Sequence, residues 1–213
     1  MENTEIYFKY LVCPYCKNYL SLEREYLLCK KCMKKYLIRE GIPIFIPERD
    51  LESFDVKKYD PNVDLKKFIP LLDHPYYTQF TQNWKIILDV GCGDGVMSAR
   101  SSDISKEIFC VDISFKSLSI LRNMPNMYPI CANCFMLSFP DNFFDGVLCI
   151  FLIEHIESPL LLLKELHRVL KQNEELVIAT DTKIYDIFSK NLINIYKNRK
   201  LQWMKNCPTH INL

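Results

Sequence analysis

Glycine is scarce in this 213-residue chain, which has only five. Three of them, Gly91, Gly93 and Gly95, fall within five residues, where the backbone must turn sharply or approach a ligand. Net charge is also small, at +1, which argues against the whole chain being a polyanion binder. No uncharged apolar run approaches the ~18 residues of a membrane span. The first thirty residues lack a signal-peptide core, so the sequence predicts a cytoplasmic protein.

Cysteine, by contrast, is abundant, with ten residues in the chain. Four of them form two Cys-x-x-Cys pairs, Cys13 with Cys16 and Cys29 with Cys32. Two such pairs can place four thiolates around one ion, which is the ligand set that structural zinc prefers. Disulfides and free thiols are the alternatives, and a reducing compartment argues against disulfides. We therefore predict a structural Zn²⁺ site that uses all four sulfurs.

The segment after the second pair reads Gly-Ile-Pro-Ile-Phe-Ile-Pro over residues 41–47. With the cysteine pairs it forms a module of about forty residues that resembles the small zinc-ribbon activators of tRNA and rRNA methyltransferases. That ribbon is often fused ahead of a methyltransferase domain. The resemblance implies a small zinc-ribbon β domain over residues 1–50, and residues 51–84 are then predicted to be a linker with lead-in helices.

The rest of the chain alternates between strand-length apolar runs and helical stretches, which predicts an α/β domain with a mainly parallel sheet covered on both faces. In such a sheet, ligands bind at the carboxyl ends of the strands. The first run leads into the three clustered glycines, and Asp112 closes the second run, where an acid can accept both hydroxyls of a ribose. The predicted strands are 86–90, 108–111, 127–131, 144–150 and 176–180.

The glycine segment separates two classes of nucleotide-binding protein. A dinucleotide-binding dehydrogenase would have its third glycine at the position of Val96. Leu-Asp-Val-Gly-Cys-Gly-Asp-Gly over 88–95 instead resembles the first motif of class I S-adenosylmethionine (SAM) methyltransferases. Segments 137–145, 154–159 and 164–171 resemble later motifs of the same family, in the same order. The resemblance is to the methyltransferase type 11 group and implies a Rossmann-like, doubly wound sheet.

This resemblance also implies which residues bind the cofactor SAM. One carboxylate, Asp112, would hold the ribose, and Ile113 would pack on the adenine. The family's usual acid at the adenine is replaced here by Asn133, whose carbonyl oxygen can still accept from the adenine amino group. The cofactor's amino acid end would meet the remaining candidates, namely Asp89, Gly91, Gly93 and the backbone of Ile150.

One histidine, His155, is the candidate general base by resemblance, because it follows the fourth strand near the active-site end. A base is needed only if the acceptor is a protonated hydroxyl or amine. A helix-capping or packing role for His155 stays open. Asp181, after the fifth strand, is a further candidate.

The chain departs from the family after its fifth strand. The family continues with a helix and two more strands, whereas this sequence ends at residue 213, so we expect strands six and seven to be missing from a truncated domain over 85–213. The run 176–180 would then be an apolar edge strand, prone to pairing in a dimer or with a partner protein. A third Cys-x-x-Cys, formed by Cys131 and Cys134, has no second pair and is interpreted as core packing.

Two classes of function follow from the sequence. The first is a methyltransferase acting on a small-molecule, lipid or glycan acceptor, with an RNA methyltransferase as its variant. The variant draws on the ribbon, where residues 6–40 carry eight Lys and Arg against three Glu. The second class is a non-catalytic partner of another methyltransferase. The retained glycine motif and Asp112 favour an enzyme over a partner.

Overall fold

The structure is a computed structural model that describes residues 6–55, 81–101, 106–179 and 200–204. Of the predicted linker and lead-in helices over 51–84, residues 56–80 lie outside the described part, as does the candidate Asp181. Within the described part, no helix is long and apolar enough to cross a bilayer.

The N-terminal part is an antiparallel four-stranded sheet in the order β1-β2-β3-β4. A 3₁₀ turn at Ile6–Tyr10 precedes it, and a second 3₁₀ turn and the short helix α1 follow it. The bounds are β1 Ser21–Glu23, β2 Tyr26–Leu28, β3 Lys35–Arg39, β4 Ile42–Pro43 and α1 Leu51–Asp55.

Among the described residues, the second sheet has six strands, all parallel, in the order β10-β9-β8-β5-β6-β7. This is the predicted Rossmann-like architecture, with helices between strands. The strands are β5 Ile86–Val90, β6 Glu107–Asp112, β7 Met127–Cys131, β8 Phe144–Ile150, β9 Leu170–Ala179 and β10 Lys200–Met204. The helices are α2 Val96–Ser101, α3 Phe115–Ser119 and α4 Pro159–Val169, with 3₁₀ turns at Ile120–Asn123 and Ile153–His155.

Local sequence explains where the helices begin and what they bury. The hydroxyl of Ser114 caps α3 by accepting a hydrogen bond from the Ser117 N–H at 3.2 Å. Helix α4 has Pro159 in its first turn, where the missing N–H is tolerated. Its buried positions, Leu162, Leu163, Leu166 and Val169, follow helical spacing and pack against the sheet.

The run predicted at 176–180 is a strand as far as Ala179, but the prediction that it lies at the edge of the sheet is wrong. Strand β10 pairs in parallel with β9 along its C-terminal half, from Lys200 opposite Glu175 to Met204 opposite Ala179. The apolar residues of β9 are therefore covered by a sixth strand, and the basis for a dimer through this strand is lost. Strand β10 begins about twenty residues after β9 ends, so the local sequence of β9 does not predict this pairing.

The two sheets share one hydrophobic core. Buried residues of the N-terminal part belong to the same apolar cluster as the strands of the large sheet. Tyr7, for example, stacks on Tyr128 of β7 with ring centroids 4.8 Å apart. Backbone also joins the two parts, since the Phe45 N–H donates to the Cys131 carbonyl at 2.7 Å and the Val12 N–H donates to the Ser138 carbonyl at 2.9 Å. The ribbon therefore packs directly on the side of β7.

Candidate cofactor site and metal centre

The glycine segment forms a tight turn between β5 and α2. Gly91, Gly93 and Gly95 all have positive φ, between 55° and 76°, which favours glycine. At Gly91 a Cβ would lie 2.8 Å from Leu152 Cδ1, and at Gly95 it would collide with the side chain of Leu121. Glycine is therefore required here both for backbone conformation and for close packing of the turn.

Asp112 ends β6 and is anchored to that turn. One carboxylate oxygen accepts the Gly93 N–H at 2.9 Å, and the other accepts the Ser114 N–H at 2.8 Å. An ionised carboxylate has about four lone-pair sites, so a carboxylate can hold backbone amides and ligand hydroxyls at the same time. The structure thus brings the predicted ribose ligand and the glycine turn together at the carboxyl edge of the sheet.

Asp89 lies within β5 and is almost completely buried. Its carboxylate accepts a hydrogen bond from Ser98 Oγ at 2.5 Å, and Cys110 Sγ lies 3.3 Å from the same hydroxyl. Burial raises the pKa of Asp89 to about 6, and the nearby negative charge of Asp112 adds to this effect, while the Ser98 hydrogen bond opposes it. A positively charged ligand group at this edge would relieve that repulsion.

The remaining cofactor candidates lie at the ends of neighbouring strands. Ile113 directly follows Asp112 and packs partly against the core. Asn133 follows β7 and is exposed, and its Oδ1 accepts the Phe135 N–H at 2.9 Å. Ile150 is the last residue of β8. All the predicted cofactor residues therefore lie on or next to adjoining strands, toward one edge of the sheet.

The candidate base His155 closes the 3₁₀ turn Ile153–His155 after β8. Its side chain is exposed, and its backbone N–H donates to the Leu152 carbonyl at 2.9 Å. His155 therefore follows the carboxyl end of β8, and its role as a base stays a prediction.

Sequence reasoning missed Phe151, which directly follows β8. Its φ is +52°, an uncommon conformation for a bulky aromatic residue, and the residue is 36% exposed. The Phe151 N–H donates to the Ala179 carbonyl at 2.8 Å, which holds this conformation between the ends of β8 and β9. Strained residues of this kind cluster at ligand sites. No signal in the sequence marks a positive φ here. The sequence analysis also missed Ser98, whose hydroxyl donates a hydrogen bond to Asp89.

The four predicted metal ligands come together in the ribbon. The sulfurs of Cys13, Cys16, Cys29 and Cys32 all lie within 4.8 Å of one another. The Sγ–Sγ distances are 3.4 Å from Cys16 to Cys29, 3.6 Å from Cys13 to Cys32 and 3.9 Å from Cys16 to Cys32. Sulfurs bound at about 2.3 Å around a tetrahedral zinc ion would lie roughly 3.8 Å apart. The chemistry and spacing of the donor set therefore fit zinc.

The two cysteine turns have the same backbone geometry. In the first, the Lys17 N–H donates to the Cys13 carbonyl at 2.9 Å, and in the second the Met33 N–H donates to the Cys29 carbonyl at 2.8 Å. Both donors have positive φ, 55° and 58°. The hydroxyl of buried Tyr36 lies 3.1 Å from Cys13 Sγ. Burial alone would raise the pKa of Cys13, but hydrogen bonds from Tyr36 and the backbone lower it to about 6. The thiolate needed by a metal is thus stabilised.

The large sheet is similar in sequence to known methyltransferase domains. Residues 88–178 match the Methyltransf_11 family, a methyltransferase domain. The uncharacterised protein MJ0638 of Methanocaldococcus jannaschii is 33% identical over 112 residues, covering 53% of this chain and 47% of that protein. The ubiquinone/menaquinone biosynthesis C-methyltransferase of Vibrio cholerae is 28% identical over 125 residues, covering 50% and 48%. The chain spans about half the length of these relatives.

A solved structure supports the same fold. The PH0226 protein of Pyrococcus horikoshii superposes with a TM-score of 0.51 and 27% identity, covering 64% of each chain. This similarity, the family match and the strand order agree on one architecture. Residues 88–178 therefore match the Methyltransf_11 methyltransferase domain, and the sheet around them has the fold of class I, SAM-dependent methyltransferases.

Proposed function

We propose that this chain is an enzyme that transfers the methyl group of SAM to a small-molecule acceptor, a class in which we include lipids and glycans. The observation that carries the proposal is the anchoring of Asp112 to the Gly93 and Ser114 amides at the carboxyl edge of the sheet. A non-catalytic partner would not require a ribose-binding carboxylate oriented by the glycine turn.

Each cofactor group has a proposed counterpart in this chain. SAM supplies a methyl group on a sulfonium, which is a good leaving group. The carboxylates of Asp89 and Asp112 give this edge the negative charge that suits a cationic ligand. The ribose would bind Asp112, and the purine would lie between Ile113 and Asn133. The amino acid end would meet Asp89, Gly91, Gly93 and the Ile150 backbone.

The remaining task for the protein is to align the acceptor with the methyl group and to exclude water, which can supply much of the rate enhancement. A general base is required only for an acceptor that must lose a proton. His155 would serve such an acceptor, because its exposed ring lies close after β8. A carbon or thiolate acceptor would leave His155 without a chemical role.

An apolar acceptor is supported by two observations. Relatives with named activities include the demethylmenaquinone methyltransferase of Renibacterium salmoninarum, 32% identical over 94 residues, covering 44% of this chain and 40% of that protein. In this chain, Phe151 follows the end of β8 with a positive backbone φ and a partly exposed side chain. An aromatic ring at this place suits contact with a flat, apolar substrate.

An RNA acceptor is the second candidate, favoured by the surface of the ribbon. Tyr15 is 59% exposed, and the Lys34 ammonium lies 4.2 Å from its ring centroid. The Lys35 ammonium lies 4.8 Å from the ring of Tyr26. Aromatic rings beside lysines can stack bases and contact phosphates.

We also propose that Zn²⁺ in the four-cysteine cluster stabilises this ribbon.

The test is a calorimetric titration of the zinc-loaded chain with SAM and S-adenosylhomocysteine. We expect micromolar binding that is lost in Asp112→Ala and kept in Asp50→Ala, a control on the ribbon side. Turnover of a demethylated quinone compared with a single-stranded RNA oligonucleotide then separates the two acceptor classes. A folded, zinc-containing chain that binds neither SAM nor its product would refute the enzyme proposal and favour a partner protein.

A further inference from the structure

The side-chain amide of Asn133 has a fixed orientation. Its Oδ1 accepts the N–H of Phe135 at 2.9 Å, and its backbone carbonyl accepts the N–H of Met136 at 3.0 Å. Turning the amide over would bring the Nδ2 donors against the Phe135 N–H, which is also a donor. The loop therefore holds Oδ1 toward its own backbone, and the exposed arm of the amide is the donor Nδ2.

Asn133 is close to the proposed nucleoside. In the sheet, Asp112 of β6 is opposite Cys131 of β7, and the Ala132 N–H donates to the Asp112 carbonyl at 3.0 Å. Asn133 is the next residue. If Asp112 holds the ribose, as in the proposed function on which this inference rests, the base attached to that ribose extends toward the end of β7.

An aspartate at this position would act differently from asparagine. With one oxygen on the Phe135 N–H, its other oxygen would face the base as an acceptor. That oxygen suits the 6-amino group of adenine, which donates hydrogen bonds. In this chain the corresponding atom is Nδ2, so a donor would face a donor. The oxygen that the sequence analysis assigned to the adenine amino group is instead the atom that accepts the Phe135 N–H.

We propose that Asn133 makes the base subsite a hydrogen-bond donor, so that the subsite accepts 6-oxopurine nucleosides about as well as adenine nucleosides. Hypoxanthine has a carbonyl oxygen at position 6, which accepts from Nδ2. Adenine has no acceptor at position 6 and must bind through a ring nitrogen. The discrimination between the two bases is therefore weak in this chain.

The experiment compares the binding of two thioethers that differ only in the base, S-adenosyl-L-homocysteine and S-inosyl-L-homocysteine. Both are titrated calorimetrically into the wild-type chain, Asn133→Asp and Asn123→Asp. The last variant adds the same charge at an exposed residue after α3. We expect dissociation constants within about threefold of each other for wild type and Asn123→Asp. For Asn133→Asp we expect a preference of at least tenfold for the adenosyl compound, because charge-assisted hydrogen bonds are the stronger ones.

Two results would overturn the inference while leaving the proposed function intact. One is a wild-type preference for the adenosyl compound that exceeds this threefold range. The other is an Asn133→Asp variant with the wild-type ratio. If a folded wild-type chain bound neither compound, the inference and the cofactor site would fail together. Thermal melting of the three proteins, measured in parallel, separates these results from loss of folding.

Discussion

Asp89 lies in a buried environment that disfavours its ionised form. It is buried beside apolar strands, with the Ser98 hydroxyl as hydrogen-bond donor and Asp112 as a repulsive neighbour. Its folded-state pKa of about 6 lies above its ordinary value of 3.8. The unfolded chain therefore releases this proton at lower pH than the folded chain, so Asp89 destabilises the protein progressively as the pH rises from about 4 to 6.

We predict that Asp89→Asn stabilises the cofactor-free chain at pH 7, by up to about 3 kcal/mol, because Asn keeps the acceptor for Ser98 without the charge. The difference should disappear near pH 4, and SAM binding should weaken at pH 7. Urea unfolding at both pH values measures the first effect, and titration measures the second. Glu52→Gln, at an exposed helix position, is the control. An Asn variant less stable than wild type at pH 7 would contradict this account.

At the proposed cofactor edge, the sequence predicted which residues lie there better than it predicted their conformations. The glycine segment and Asp112 were predictable because each has a distinct chemical task that restricts residue type. The positive φ of Phe151 and the fixed amide of Asn133 were not, since both depend on backbone contacts made after folding. The pairing of Ser98 with Asp89 likewise needs the turn that brings α2 back over β5.

Among elements, strands predicted from apolar runs matched well where the run was continuous. Strand β9 begins at Leu170, six residues before the apolar run that predicted it. The intervening polar residues form an irregularity in which Asn173 has φ +64°, and the register shifts between Phe144 and Gly146 of β8. Lys171 and Asp145 form an ion pair of 2.6 Å beside it. The first part of β9 is held by such polar contacts, so hydrophobic periodicity does not predict it.

A polar cluster ties the first cysteine turn to helix α4. Glu165 accepts hydrogen bonds from Lys17 at 3.3 Å, from the Leu137 N–H at 2.8 Å and from Arg168 at 2.7 Å. Burial would raise the pKa of Glu165, but its bonds and ion pairs with Arg168 and Lys17 outweigh burial and lower it. A carboxylate with a lowered folded-state pKa contributes stability above its ordinary pKa, and this contribution is lost on acidification.

We predict that Glu165→Gln lowers the free energy of unfolding at pH 7 by about 1–3 kcal/mol, because two cations and a backbone N–H lose their ionised acceptor. The loss should shrink below about pH 4, where protonation of the wild-type carboxylate removes the same interactions. Denaturant unfolding across this pH range is the measurement, and Glu157→Gln, at an exposed residue before α4, is the matched control. A deficit independent of pH would contradict the ionic explanation.

At the scale of the whole molecule, the ribbon and the methyltransferase sheet form one packed body in the described residues. The sequence predicted two domains with a boundary near residue 50, and that division stays a prediction. The core, however, runs from Cys13 and Cys29 through Tyr36 and Phe45 into β6 and β7. The rings of Tyr36 and Phe45 lie 4.9 Å apart, and the Phe45 N–H bonds directly to the end of β7.

Loss of the metal should therefore destabilise the large sheet as well as the ribbon. Both tryptophans, Trp84 and Trp203, lie outside the ribbon, so their fluorescence reports on the methyltransferase domain. We predict that Cys32→Ser, or stripping of zinc by a chelator, lowers the melting temperature by about 10 °C or more, by fluorescence and by circular dichroism alike. Cys134→Ser, a half-buried thiol outside the cluster, should keep bound zinc and most of the stability. Tryptophan melting unchanged by zinc removal would mean that the methyltransferase sheet folds independently of the ribbon, despite the core they share.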